Sequence, residues 1–322
     1  MERKIYIDYL KVIGLLLVIM AHVSPPLIIN QIRSFDVPLL VLISGYLAAT
    51  SYKEGDIKNY LYKRVKRLVF PAWIFICIFL PVRIIAYNRP FIGEVLRELT
   101  FQRDSDMLGF LWVIWVYLVC ACLVPFLKKI PLKKISFLIV VLILFVYELL
   151  SKTDLVYNRF LYNTFFTIVP YGFISYIGLN IEKINKIHYL IIACLLLYLV
   201  YALYLYLLNG YYIQTDFYKY PAQIYYLSFA LSISLIFYSP LKKKNITQNR
   251  VITFISSSSL WIYLWHILSL YAVKKFITND ELWFTQYILI LILAIIITYV
   301  QNYIVDAMMS HGKYKWLKIF KG

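Results

Sequence analysis

The sequence is short of charge for its length. Only 15% of its 322 residues are Asp, Glu, Lys or Arg, whereas 62% are hydrophobic and the mean hydropathy is +0.73. A soluble globular domain has about 25% charged residues, and a disordered chain needs low hydrophobicity. Both classes are excluded. With 10 Gly and 11 Pro, collagen-like and other fibrous classes are excluded as well.

Cysteine is also scarce, and its placement indicates no redox or metal chemistry. The four cysteines lie in apolar runs without a C-x-x-C pair, so we interpret them as buried side chains rather than a disulfide framework. No His, Cys or Asp cluster has the spacing of metal ligands. We therefore expect no metal site and no permanently bound cofactor. Glycine-rich phosphate loops and G-x-S-x-G elbows are missing too.

What the sequence has is a series of long apolar runs separated by charged clusters. A membrane-spanning helix needs about 20 predominantly apolar residues. The runs predict an all-α, polytopic transmembrane helix bundle of about ten spans. The expected spans are 6–27, 35–52, 69–87, 108–127, 135–151, 161–181, 188–208, 221–240, 258–276 and 283–306.

The basic residues predict the orientation of these spans. With the N-terminus inside, 22 Lys and Arg fall in cytoplasmic segments and 10 in outer ones. This positive-inside bias favours ten spans with both termini cytoplasmic in a cell membrane. Frequent Ile, Lys, Tyr and Asn are typical of an AT-rich bacterial source, so the bacterial cytoplasmic membrane is expected. It also accounts for much of the net charge of +17 without nucleic acid, so membrane lipids are the expected partners. The Met1–Lys4 start and the following run are interpreted as a retained first helix.

Ionisable side chains within the first span are the most informative. Asp8, Lys11 and His22 lie within an apolar run, where such groups usually face the protein interior. At about 100° per residue, Lys11 and His22 share one helix face roughly 16 Å apart. His22 precedes Pro25-Pro26 at the helix end and is a candidate general base. The alternative is a snorkelling Lys with a hydrogen-bonded structural His.

Asp36 begins the next apolar run on the same predicted outer side as His22. Its carboxylate could orient the His22 imidazole and stabilise the protonated ring. An Asp two residues before Pro38 equally suits a helix N-cap. The two interpretations are compatible, and both stay open at this point.

Basic and aromatic residues elsewhere supply further candidates. Arg64 and Arg67 are three apart in the densest basic run, and paired guanidinium groups suit phosphate. The same run could instead bind anionic lipid headgroups. Trp112 starts the fourth span as an interfacial Trp would. His266 is a second intramembrane imidazole, and residue type alone favours a structural role for it.

In this order, these pieces resemble acyltransferase family 3. The resemblance covers roughly residues 5–306. The family's D-x-x-R-x(10)-H pattern is similar to Asp8-Tyr9-Leu10-Lys11 followed by ten residues and His22, with Lys11 in place of the family's Arg. The other three motifs are similar to Val37-Pro38-Leu39-Leu40-Val41-Leu42-Ile43-Ser44-Gly45-Tyr46, Arg64-Val65-Lys66-Arg67-Leu68-Val69-Phe70-Pro71 and Ser259-Leu260-Trp261-Ile262-Tyr263-Leu264-Trp265-His266.

The resemblance implies an O-acyltransferase that moves an acyl group, with acetyl expected first, from cytoplasmic acyl-coenzyme A to a hydroxyl of a cell-surface glycan or glycolipid. It implies that Arg64, Arg67 and Lys11 hold the donor. His22 and Asp36 would be catalytic.

Trp112, His266 and Tyr46 would contact substrate, and the acceptor would bind in the outer segment 88–107. Lys11 cannot form the forked hydrogen bonds of the arginine that the family has at this position. A second function therefore stays open, that of a polysaccharide export protein without transfer activity. A third is a structural or lipid-binding subunit. We expect a single domain over 1–322 without an appended soluble domain. Acceptor identity and oligomeric state stay open.

Overall fold

The computed structural model describes residues 4–87, 98–101, 109–244, 246–310 and 315–321. Helices dominate them, and no β-strand occurs within these ranges. This confirms the all-α prediction. In a bilayer core, a helix satisfies every backbone hydrogen bond within its own segment. The helices are α1 (Ile5–Met20), α2 (Leu27–Arg33), α3 (Asp36–Ser51), α4 (Ile57–Tyr87), α5 (Trp112–Leu127), α6 (Lys134–Leu150), α7 (Arg159–Asn163), α8 (Phe165–Asn180), α9 (Ile187–Asn209), α10 (Ile224–Lys243), α11 (Arg250–Ser257), α12 (Ser259–Phe276) and α13 (Trp283–Ser310).

The number of spans differs from the ten predicted. Among the residues described, eight helices are long and apolar enough to cross a membrane, and α11 with α12 makes a ninth if that bent pair is one span. The missing span is the predicted 135–151, whose apolar helix Leu138–Leu150 is shorter than the roughly 20 residues a crossing needs. These apolar helices support a multi-pass membrane protein.

Two predicted spans have different ends. Helix α4 begins at Ile57, not near residue 69, so the basic run and the apolar run that follows it belong to one long helix. The predicted span 258–276 is broken, because α11 and α12 meet at Ser258 with a 77° bend. Serines can satisfy backbone groups locally and compete with the helix, and four of them occur in a row from Ser256.

The described chain falls into two compact units. The terminal unit contains Met1–Pro25, Leu61–Leu118 and Thr247–Gly322, and the central unit contains Pro26–Tyr60 and Val119–Ile246. In the terminal unit, α1 packs against α11, α12 and α13. The Ser256 hydroxyl donates to Asp8 Oδ1 at 2.6 Å and so ties α11 to α1. This bond gives the buried Asp8 carboxyl the partner that a polar group in an apolar environment requires.

In the central unit, α3 packs along α8 and α9 packs along α10. The first pair is unusually close. A Cβ atom on Gly178 would lie 2.2 Å from the Leu42 carbonyl oxygen, and one on Gly45 would lie 2.4 Å from that of Ser175. Small residues at helix crossings allow such approach within membranes, where dispersion contacts drive association. Gly45, part of the Ser44-Gly45-Tyr46 motif, therefore serves helix packing.

Candidate active site

Two imidazole rings stack on each other in the terminal unit. Helix α1 ends at Met20, and the 3-10 turn Ala21–Val23 that follows presents His22. Its ring centroid lies 5.2 Å from that of His266 on α12, with 24° between the ring planes. Phe110 packs edge-on against His22 at 4.3 Å. The structure thus places together two intramembrane histidines that the sequence placed in separate motifs.

His266 is fixed in one position. Its side chain is fully buried, and its Nδ1 contacts the Tyr263 carbonyl oxygen one helical turn earlier. A carbonyl only accepts, so Nδ1 carries the hydrogen and the neutral ring presents Nε2 as an acceptor. Within the described part of the chain, that Nε2 is buried without a hydrogen-bond partner. His22 itself is half-buried, so the two rings differ in freedom to move.

The surroundings of the pair hold α12 in place. Trp265 Nε1 donates to Gln301 Oε1 at 2.7 Å, which joins α12 to α13. Trp261, fully buried, donates to the Ile319 carbonyl at 3.0 Å. The Tyr263 hydroxyl donates to the carbonyl of Phe110, the residue that packs on His22. These bonds anchor the part of α12 that leads up to His266.

The donor-side residues predicted from sequence lie on α1 and α4 of the same unit. Lys11 is half-buried on α1. The 3-10 turn interrupts the α-helix between Lys11 and His22, so the predicted common face holds only as far as Met20. Arg64 and Arg67 share a face of α4, where Arg67 is exposed and Arg64 half-buried.

Trp112 is the first residue of α5 and is half-buried after the 3-10 turn Gly109–Leu111. That turn also carries Phe110, so Trp112 follows a residue of the imidazole cluster by two positions. The expected acceptor segment 88–107 lies outside the described residues, apart from 98–101.

Asp36 belongs to the central unit, at the centre of a buried group of charges. Its Oδ2 accepts from Arg33 Nη1 at 2.8 Å, and its Oδ1 lies 3.3 Å from Lys219 Nζ. Both cations also lie 3.8 Å from Asp216 Oδ1. Two positive and two negative groups therefore balance, as buried charges require, with Arg33, Asp36 and Lys219 buried and Asp216 partly exposed.

The predicted N-cap role of Asp36 is corrected. Phe35 occupies the N-cap of α3, and the Asp36 carboxylate accepts instead from the adjacent Val37 N–H at 2.7 Å. Asp36 is held by ion pairs within its own unit. Its orientation of His22 stays a prediction.

Lys219 holds its charge in this cluster. Burial by itself would lower the pKa of Lys219, but the attraction of Asp36, Tyr220 and Asp216 outweighs burial and raises the pKa above its ordinary value. The ammonium therefore stays protonated, and the cluster keeps its balance of charge.

A protein-family model described as an acyltransferase domain matches residues 4–302 of the 322-residue chain. The chain belongs to acyltransferase family 3. Neither the curated proteins nor the solved structures contain a significant match to it. Since the matched region holds both the α1 and α12 histidines, this membrane acyltransferase has its imidazole pair within the family domain.

Tyr46 of this acyltransferase lies in the central unit, where its hydroxyl donates to Glu182 Oε1 at 3.1 Å. Its ring is buried and packs edge-on against Tyr238. A direct substrate contact for Tyr46 stays a prediction, whereas the contact with Glu182 gives it a structural role between α3 and the end of α8.

Sequence reasoning missed four residues that complete these clusters, namely Arg33, Asp216, Lys219 and Phe110. Arg33 could have been found, because Arg-x-x-Asp places opposite charges three apart, where helical side chains meet. Asp216 and Lys219 have the same spacing, but nothing local links them to Asp36, and Phe110 carried no signal of this kind. Lys219 is 183 residues from Asp36, and Phe110 resembles many other aromatic residues of this acyltransferase.

Proposed function

We propose that the protein is an O-acyltransferase that moves an acyl group, acetyl first, from cytoplasmic acyl-coenzyme A to a hydroxyl of a cell-surface glycan or glycolipid. The observation that carries this proposal is the half-buried His22 at the end of α1, stacked on the buried His266 within an acyltransferase domain. Histidine is the side chain whose ordinary protonation suits a general base near neutral pH.

The chemistry requires one base that can take and return a proton. The acceptor hydroxyl oxygen attacks the thioester carbonyl carbon while His22 takes the hydroxyl proton. The carbon–sulfur bond then breaks, and the departing thiolate takes the proton from the His22 imidazolium. An ester and free coenzyme A result. This sequence needs no metal ligand and uses one half-buried imidazole, which matches the partial exposure of His22.

The donor side of the proposal depends on α4 and α1. Coenzyme A carries phosphates, and guanidinium groups bind phosphate by forked, charge-assisted hydrogen bonds. Arg64 and Arg67 offer two such groups on one face of α4. Lys11 lies about 17 Å from His22 along α1 and its 3-10 turn, so an extended arm that follows α1 would bring the thioester towards His22.

The test follows acetyl label from acetyl-coenzyme A into glycan and glycolipid fractions of isolated membranes. Wild type, His22→Ala and His188→Ala would be compared at matched expression. Because general base catalysis contributes about 10²–10⁴-fold, His22→Ala should lower the transfer rate by about that factor. His188 is an exposed histidine on α9 that packs on Tyr189, and its replacement should leave the rate unchanged.

Two results would contradict the proposal. A normal transfer rate in stably folded His22→Ala protein would show that His22 is not the general base. No label in any variant, with the natural acceptor pool present, would favour polysaccharide export instead.

A further inference from the structure

A histidine that acts as a base needs its ring held in one orientation. In a neutral imidazole one nitrogen donates and the other accepts, so a hydrogen bond to the first decides where the second points. The rings of His22 and His266 have centroids 5.2 Å apart and planes 24° from parallel. In this arrangement no hydrogen bond joins His22 to Nε2 of His266.

The carboxylate first considered for this role is already engaged. Asp36 binds Arg33 and Lys219 through its two oxygens and also accepts from the Val37 N–H. These contacts are sufficient to explain why a carboxylate is buried at that position.

His266 offers what His22 requires. Its Nδ1–H is held by the Tyr263 carbonyl, which leaves Nε2 as a pure acceptor in a fixed direction. This Nε2 is buried and has no partner in the described ranges, and a buried polar atom without a partner is an exception in folded proteins. The ring whose donor could satisfy it is the one stacked next to it.

The separation of the rings fits such a bond. A ring nitrogen lies about 1 Å from its ring centre, and an N–H···N bond is about 3 Å long, so two bonded imidazoles have centroids about 5 Å apart. The observed separation is 5.2 Å. Rotation of the half-buried His22 ring about χ2, whose wells are broad, changes where its nitrogens point and leaves the ring centre at about the same distance from His266. The buried His266 stays fixed.

We propose that His266 is the positioning residue for His22: its Nε2 accepts a hydrogen bond from one ring N–H of His22, which aims the other His22 nitrogen at the acceptor hydroxyl. The bond persists when His22 takes the hydroxyl proton, because that proton binds the opposite nitrogen. His266 stays neutral throughout and exchanges no proton. This inference rests on the proposed function, in which His22 is the base.

Two nearly isosteric substitutions separate this role from a purely structural one. In His266→Asn the side-chain amide reaches the Nδ1 position and can still donate to the Tyr263 carbonyl, but the Nε2 acceptor is lost. In His266→Gln the amide oxygen reaches the Nε2 position and restores an acceptor. A misplaced catalytic group costs up to about 100-fold, so His266→Asn should lower kcat by about 10- to 100-fold with KM for acetyl-coenzyme A unchanged. His266→Gln should recover most of that loss.

A second readout does not depend on turnover. The chain contains four histidines, so ¹⁵N-histidine labelling gives four imidazole signals that single substitutions assign. In detergent-solubilised protein, His266 should show a protonated Nδ1 and a hydrogen-bonded Nε2. The His22 signals should change in His266→Asn but much less in His266→Gln. His188→Asn should leave them unchanged.

The outcomes separate the two proposals. Wild-type kcat in folded His266→Asn, or equal loss of kcat in the Asn and Gln variants, would overturn the positioning role while His22-dependent transfer still stands. If wild type transfers no label, or if His22→Ala transfers label as fast as wild type, the proposed function is overturned. The ¹⁵N spectra would then still decide whether His22 donates to His266, and an Nε2 signal of His266 without a hydrogen bond would overturn that contact.

Discussion

The close crossing of α3 and α8 gives a prediction that can be worked from distances. In Gly178→Ala the new methyl group would lie 2.2 Å from the Leu42 carbonyl oxygen, whereas ordinary contacts of this kind are 3.4–4 Å. The obstacle is the backbone of α3, which cannot rotate away as a side chain would. The two helices must therefore move apart by about 1 Å, at the expense of contacts along the whole interface.

The expected cost is about 1–3 kcal/mol in the free energy of unfolding, the range for overpacking in a close-packed interior. Gly172→Ala is the matched control on the same helix. Its methyl group would meet only the end of the Leu123 side chain, at 3.0 Å, and that group can shift. Both substitutions gain the same helix propensity, up to about 1 kcal/mol, so this gain cancels in the comparison.

The measurement is thermal unfolding of both purified variants in the same detergent, with wild type alongside. Gly178→Ala should unfold at a clearly lower temperature than Gly172→Ala. Equal midpoints for the two variants would refute the reasoning, because they would show that α3 and α8 separate at no cost or are not in contact at this point.

Two further predictions concern charged residues. Lys219→Met should destabilise the protein by roughly 3 kcal/mol in the same thermal assay, because it leaves the buried Asp36 with one cation in place of two. The added change Asp36→Asn should restore part of this loss. An unchanged unfolding midpoint in Lys219→Met would argue against the buried charge cluster. Arg64→Ala and Arg67→Ala should each raise KM for acetyl-coenzyme A about 10-fold with little effect on kcat, as expected for the loss of a charge-assisted hydrogen bond. Lys63 is an exposed neighbour on α4, and Lys63→Ala should leave KM unchanged. Equal KM values in all three variants would show that the arginines do not bind the donor.

Hydropathy predicted much of the fold because the bilayer imposes a simple rule on each span. Apolar runs such as 188–208 and 283–306 coincide with α9 and α13 within a few residues. The rule fails where length is marginal or where the helix extends beyond its apolar part. The apolar part of α6 is too short to count as a span, and α4 continues through a basic run, because lysine and arginine are good helix formers.

The candidate site was predictable only in its parts. His22 was identified because an ionisable group in an apolar span is costly and therefore informative. Its proximity to His266 is a tertiary contact between distant segments, and neither periodicity nor spacing reports such contacts. Asp36 shows the same limit, because its partner Lys219 lies 183 residues away. Local pattern identified the charged groups, whereas folding decided which of them meet.

The Ser256–Asp8 hydrogen bond joins two residues that are 248 positions apart, so they are synthesised at very different times. Helix α1 is made before α11, α12 and α13, and it must enter the membrane long before they leave the ribosome. The central unit, which ends at Ile246, can complete its own packing earlier. During most of synthesis, therefore, α1 holds its carboxyl in the bilayer without Ser256, and His22 without His266. The acyltransferase acquires its imidazole pair only with the last quarter of the chain.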